Sequence, residues 1–110
     1  MGTSRDTYLV WGWKLDYDKL EALPSEKQDE IYDREAKVGQ VSTIVDGMGG
    51  EYIVVGDVVA CLDEYGEGLD FIDFSRLNPP EVKRDEMYDA VKALEPQPGE
   101  PSFLLFNHWH

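Results

Sequence analysis

Two β-branched runs, QVSTIV and EYIVVGDVVACLD, are separated only by Asp46-Gly47-Met48-Gly49-Gly50. Runs of this composition extend readily, and closely spaced glycines supply the positive φ angles that a tight reversal needs. The pair therefore predicts a hairpin, and a hairpin commits the chain to an antiparallel sheet. Gly56, inside the second run, predicts a bulge or bend. At 110 residues, 42% of them apolar, the chain has room for one domain built around this hairpin.

The flanking segments are read against that sheet. TYLVWGWKL, from Thr7 to Leu15, is aromatic and β-branched over strand length, and its period of two puts Trp11 and Trp13 on the same side, as core residues. The preceding MGTSRD, residues 1–6, reads as a frayed, flexible terminus, leaving residues 7–110 as the domain. DYDKLEALPSEKQDEIYDREAKVG predicts a helical region broken near Pro24, with Asp18 and Glu21, then Ser25 and Gln28, at capping-box spacing. Glu30 with Arg34 and Asp33 with Lys37 are acid-before-base pairs on a solvated face, and Gly39 is placed to stop the helix.

A second helix is expected behind Asn78, Pro79, Pro80 and Glu81, with Met87, Tyr88, Val91 and Leu94 as its apolar stripe, ending before Pro96. EPQPGEP is a stiff loop, and SFLLFNHWH is a closing strand. The stretch 69–74, LDFIDF, fits either a strand or a helical turn. The expected order is β-α-β-β-α-β in a small α+β domain: an antiparallel sheet with two helices on one face, in the split βαβ, ferredoxin-like arrangement. In that arrangement the first and last strands are neighbours.

No recognisable chemistry is written along the chain. His108 and His110 stand at its end, where a catalytic base would be poorly held, and Cys61 sits in an apolar run as a small hydrophobe. A lone cysteine allows no internal disulfide and no cysteine zinc site. DEYGEGLDFIDF fails as a calcium loop because Tyr65 and Phe74 occupy ligand positions, and GMGG lacks the spacing and the lysine of a phosphate loop. Neither a catalytic residue, a metal site nor a cofactor is expected. No apolar segment nears the roughly 20 residues of a membrane span, and no basic, then apolar, leader opens the chain. A cytoplasmic, soluble protein is expected.

The charge is the remaining signal. Ten Lys and Arg face 23 Asp and Glu, a formal net charge of −13. Between Lys37 and Arg76 there is no basic residue, while Asp46, Glu51, Asp57, Asp63, Glu64, Glu67, Asp70 and Asp73 accumulate. Such a surface disfavours direct contact with nucleic acid or an anionic membrane and favours a basic protein surface. An array of carboxylates can occupy the track that a DNA-binding enzyme reserves for phosphates.

In size, charge and lack of catalytic residues the chain resembles the small acidic inhibitors that bacteriophages make against restriction enzymes, uracil-DNA glycosylase or CRISPR nucleases. It is similar in the same respects to the immunity proteins that neutralise basic nuclease toxins. Both resemblances imply an acidic face that occludes a cationic one, in a monomer or a dimer. The residues expected to form that face are Asp63, Glu64, Glu67, Asp70 and Asp73, supported by Asp85, Glu86 and Asp89. The remaining alternative is an accessory protein whose charge serves solubility and whose contacts are apolar, around Trp11, Trp13 or Trp109.

Overall fold

In the computed structural model, which describes residues 5–33, 35–47, 49–63 and 84–109, four strands and three helices follow one another along the chain. They are β1 (Arg5–Asp16), α1 (Asp18–Glu21), α2 (Ser25–Asp33), β2 (Val41–Val45), β3 (Tyr52–Asp63), α3 (Arg84–Lys92) and β4 (Ser102–Trp109). The strands form one antiparallel sheet in the order β2-β3-β1-β4, so the first and last strands are paired and β2 and β4 are its edges. The protein is thus a small α+β domain. None of the helices among the described residues is long and apolar enough to cross a membrane.

β1 begins at Arg5, so Arg5 and Asp6 are not frayed: they pair with Trp109 and His108 of β4. The hairpin forms as its glycines require, with Gly50 at φ 64°. Asp46, buried at its corner, organises the turn by accepting hydrogen bonds from the backbone N–H groups of Gly49 (2.8 Å) and Glu51 (3.0 Å). A carboxylate that takes up two turn donors in this way does structural work.

The helices depart from expectation at their ends. Tyr17, with no side-chain cap, precedes α1, and Asp18 lies in the first turn, where its charge complements the helix dipole. The carbonyl of Pro24 accepts the first bonds of α2, from Lys27 and Gln28, so Ser25 is already inside the helix. Gln28 does not close a capping box; its amide reaches back to the carbonyl of Leu23 (2.8 Å) and stitches α1 to α2 across the break. Helix α2 ends at Asp33, well before Gly39. Gly39 instead takes φ 85° and donates to the carbonyl of Val58, where the chain turns into β2. Glu30 lies 3.8 Å from Lys27, and Arg34, its expected partner, is outside the described residues. So are Asn78, Pro79, Pro80, Glu81 and the stretch 69–74.

Two apolar clusters fill the domain. Trp13, Ile53 and Val55 of the sheet meet Leu20 of α1, Met87 and Val91 of α3, and Leu94 just beyond it. Trp11 and Ile31, partly buried, pack against this group, so Trp13 lies in the core as expected and Trp11 borders it. The indole N–H of Trp13 also donates to the carbonyl of Gly99 (3.2 Å) and fastens the proline-rich loop to the sheet. The second cluster is made of Tyr8, Val10, Ile44, Val54 and Val58, with Tyr52, Leu104 and Phe106 against it.

The second cluster exists because the sheet is folded over. Tyr52 pairs with Asp16 at one end of β1, and His108 pairs with Asp6 at the other. A flat strand would hold those positions about 33 Å apart, at about 3.3 Å per residue. Yet the Tyr52 hydroxyl and His108 Nδ1 share a hydrogen bond of 3.0 Å, and the Tyr52 and Phe106 rings are 5.8 Å apart. β1 and β3 must therefore bend sharply and bring one face of the sheet onto itself.

Two features sit at the middle of the bend. The register shifts between Leu9 and Val10, which pair with Ala60 and Val58 and leave Val59 as the extra residue of a bulge. Next to it, Gly12 and Gly56 pair across the strands. A Cβ on either would lie 2.7 Å from the Cα of the other. Gly56 is thus regularly paired rather than bulged, and its missing side chain permits close strand approach at the fold.

Candidate functional site

The residues expected to form an acidic face divide into three groups. Asp63 ends β3, where its Cα pairs with Asp6, whose neighbour on the other side is His108. β3 therefore ends on the side of the sheet that carries Asp6 and His108. Glu64, Glu67, Asp70 and Asp73 are outside the described residues. Asp85, Glu86 and Asp89 are exposed on α3. They share that surface with two cations: Arg84 and Lys92 lie 5.2 and 5.6 Å from the centre of the Tyr88 ring. The ring holds both bases beside the acids by cation–π attraction, so this face of α3 is mixed in sign.

Two other acids of the stretch, Asp46 and Asp57, are buried and belong to the fold. The described carboxylates that face solvent include Asp16, Asp18, Glu26, Asp29, Glu35 and Glu51. Among the described residues the ion pairs are Lys19–Glu95 at 2.8 Å and Lys27–Glu30 at 3.8 Å. Hydrogen bonds from Lys19 and from the backbone of Gln97 hold Glu95 below the usual carboxylate range.

The folded-over face of the sheet opens into a cavity of about 380 Å³. β1 supplies Asp6 and Tyr8, β4 supplies His108, and β2 supplies Thr43, Ile44 and Val45. The end of α2 and the segment after it close the other side with Ile31, Tyr32, Glu35 and Ala36. His108, expected at a frayed end, is half-buried and held by Tyr52. Cys61 is half-buried against the same cluster, near enough to the Tyr8 hydroxyl to oppose its ionisation. His110 is outside the described residues, and among those described no group of His, Cys, Asp and Glu is arranged to hold a metal ion.

The chain matches no family model, no curated protein and no solved structure.

Asp6, Tyr8, Tyr32, Tyr52 and Glu35 were not among the residues expected to form a site. A signal existed for part of the set: Asp6 and Tyr8 on β1, with Phe106 and His108 on β4, alternate along their strands and so share a face. Nothing local pointed to the meeting of Tyr52 with His108, which are 56 positions apart.

Burial pushes the Tyr8 hydroxyl up to about 12, assisted by Cys61, Asp6 and Glu35, whose charge or polarity opposes ionisation. Burial, then the charges of Asp46 and Glu51, push Tyr52 to about 12 as well. Folding therefore favours both protonated phenols over the ordinary value of 10.0. Their contribution to stability is complete below about pH 10 and is lost as the pH rises towards 12, because the unfolded chain ionises first. Urea denaturation between those limits is expected to show stability falling steeply, and less steeply in Tyr8→Phe and Tyr52→Phe. Equal slopes in wild type and both variants would refute the assignment.

Proposed function

We propose that this is a small acidic binding protein that covers the basic surface of a nucleic-acid-binding enzyme, in the manner of a DNA mimic, and that it acts by binding rather than by catalysis. The observation that carries the reading is the imbalance of charge at the surface. Exposed carboxylates are spread over the described elements, and the ion pairs between described residues are Lys27–Glu30 and Lys19–Glu95. Unpaired carboxylates on folded elements keep their charge, cost the protein self-repulsion and steer a cationic partner towards it. Displacing phosphates from such a partner requires a surface of this sign.

For the fold we propose the split βαβ, ferredoxin-like arrangement, supported by the antiparallel order β2-β3-β1-β4 and by a core that α1, α2 and α3 share. The proposed place of action is the cytoplasm, which suits a chain whose single cysteine allows no internal disulfide.

The test is charge reversal read against stability. With a DNA-binding enzyme recovered on the immobilised protein at low salt, the variants Glu64→Lys/Glu67→Lys/Asp70→Lys and Asp85→Lys/Asp89→Lys are expected to lower affinity about tenfold or more, a loss of about 1.4 kcal/mol. Their melting temperatures should stay near that of wild type. DNA should compete for the same enzyme, and the affinity should fall as salt rises. Binding indifferent to salt, or affinity and melting temperature falling together, would overturn the reading.

A further inference from the structure

The last strand gives the sheet an edge that its own sequence does not protect. β4 pairs with β1 on one side, and no described strand pairs with the other. Natural edges are blunted by lysine, by proline, by a bulge or by being short. Ser102–Trp109 has eight residues, contains neither Lys, Arg, Asp, Glu nor Pro, and keeps an unbroken register against Arg5–Gly12. β2, the other edge, is five residues long and has α2 and α3 packed against it.

The strand also exposes apolar surface. Leu105 is 58% and Trp109 49% exposed, and both belong to the alternate residues of β4 that share one face. At about 3.3 Å per residue, β4 is a strip about 26 Å long without a carboxylate, on a chain of net charge −13. A basic enzyme finds no countercharge on it. A second copy of the chain meets its least repulsion there.

We propose that β4 pairs antiparallel with β4 of a second copy, around a two-fold axis through Leu105, so that two four-stranded sheets become one continuous sheet. In that register Leu105 faces its own counterpart, and Trp109 lies opposite Pro101 of the second copy. The symmetry supplies complementary charge at both ends of the strip. Arg5, stacked on Trp109 at 5.9 Å, comes beside the exposed Glu100 of the second copy, and by symmetry the contact occurs twice. Neither Arg5 nor Glu100 takes part in the ion pairs between described residues. A standard interface takes about 20–30 residues from each side, so a strip spanning 101–109 predicts a weak, reversible dimer with a Kd on the order of 10 µM. The dimer uses the uncharged edge and leaves the acidic surface free for the proposed occluding role.

The test follows the mass of the full chain by analytical ultracentrifugation, over concentrations that span the expected Kd. A dimer is expected, and it should tighten as salt rises, because salt screens the diffuse repulsion of two acidic molecules more than a pair closer than the Debye length. Leu105→Lys places two like charges opposite each other on the axis and should weaken the dimer about tenfold or more. Because Leu105 is exposed, the melting temperature of the dilute protein should stay near that of wild type. Arg5→Glu should weaken the dimer about tenfold, and Arg5→Glu/Glu100→Arg should restore it.

A chain that stays monomeric at every concentration would assign the edge to another occupant and overturn the proposal. A dimer that Leu105→Lys leaves intact, or a charge swap that restores nothing, would overturn it too. The two readings fail separately, since salt should tighten the dimer and release the enzyme. If the chain is monomeric but salt still releases a DNA-binding partner, the dimer falls and the occluding role stands. If the dimer forms but DNA competes with no partner, the reverse holds.

Discussion

Gly12→Ala is expected to abolish the native fold. Its new methyl group would collide with the carbonyl oxygen of Val55 and lie 2.7 Å from the Cα of Gly56 and 2.9 Å from the carbonyl carbon of Val55. All three are backbone atoms, which no rotamer change can move aside. Gly56→Ala meets the backbone of Trp11 and Gly12 in the same way, and the side chain of Val10 at 2.8 Å. Relief requires β1 and β3 to separate at the bend, which pulls apart the pairing on either side and opens the cluster of Tyr8, Val10, Ile44, Val54 and Val58. The expected loss is on the order of 5 kcal/mol, in the range reserved for severe core and backbone defects. Small domains often hold no more than that in total. Gly39→Ala is the control: its φ of 85° is unfavourable for alanine, but nothing lies within 4 Å of the new atom, so about 1 kcal/mol is expected. Denaturant melts with circular dichroism decide the matter. A Gly12→Ala protein with the melting temperature of Gly39→Ala would show that the strands do not approach so closely.

Asp46→Ala is expected to cost about 2–4 kcal/mol, because it removes the side-chain acceptor of two backbone donors at once. Asp46→Asn should recover part of the loss, since its amide oxygen can still accept one of the two hydrogen bonds. The order wild type, asparagine, alanine in urea midpoint is the signature of a turn built by this side chain. The result also bears on function. Asp46 belongs to the acidic stretch by sequence, yet its removal should act on stability and leave partner affinity per folded molecule unchanged. The reverse outcome would move Asp46 from the fold to the binding surface.

What could be read from the sequence was local. The strand character of TYLVWGWKL and SFLLFNHWH, the glycine hairpin, the break at Pro24 and the stripe of Met87, Val91 and Leu94 each depend on neighbours within a few positions. What could not be read depends on distant partners. Gly56 predicted a bulge or a bend without deciding between them, because a glycine in a strand is ambiguous until its partner is known; the partner is Gly12, across the sheet, and the pair sits at the bend. His108 looked unsupported for the same reason. The helix ends were misplaced because Gln28 and Gly39 spend their hydrogen-bonding groups on the preceding turn and on β3, rather than on capping their own helix. For the candidate site, charge was legible from composition, whereas the cavity was not. It arises from a bend that gathers Asp6, Tyr8, Thr43 and His108 from three strands.

The place of β1 in the sheet also sets a schedule for the newborn chain. β1, made before both of its neighbours, lies between β3 and β4, and its Thr7 hydroxyl donates to Asn107 Oδ1, 100 positions later. At ribosomal speeds of about 5–20 residues per second, β1 waits on the order of 5–20 s for that last neighbour. Throughout the wait one edge of a strand rich in tryptophan and tyrosine is open to any extended peptide nearby. Folding of this domain is therefore governed by long-range closure, and its yield in the cell should depend on chaperones that shield nascent strands.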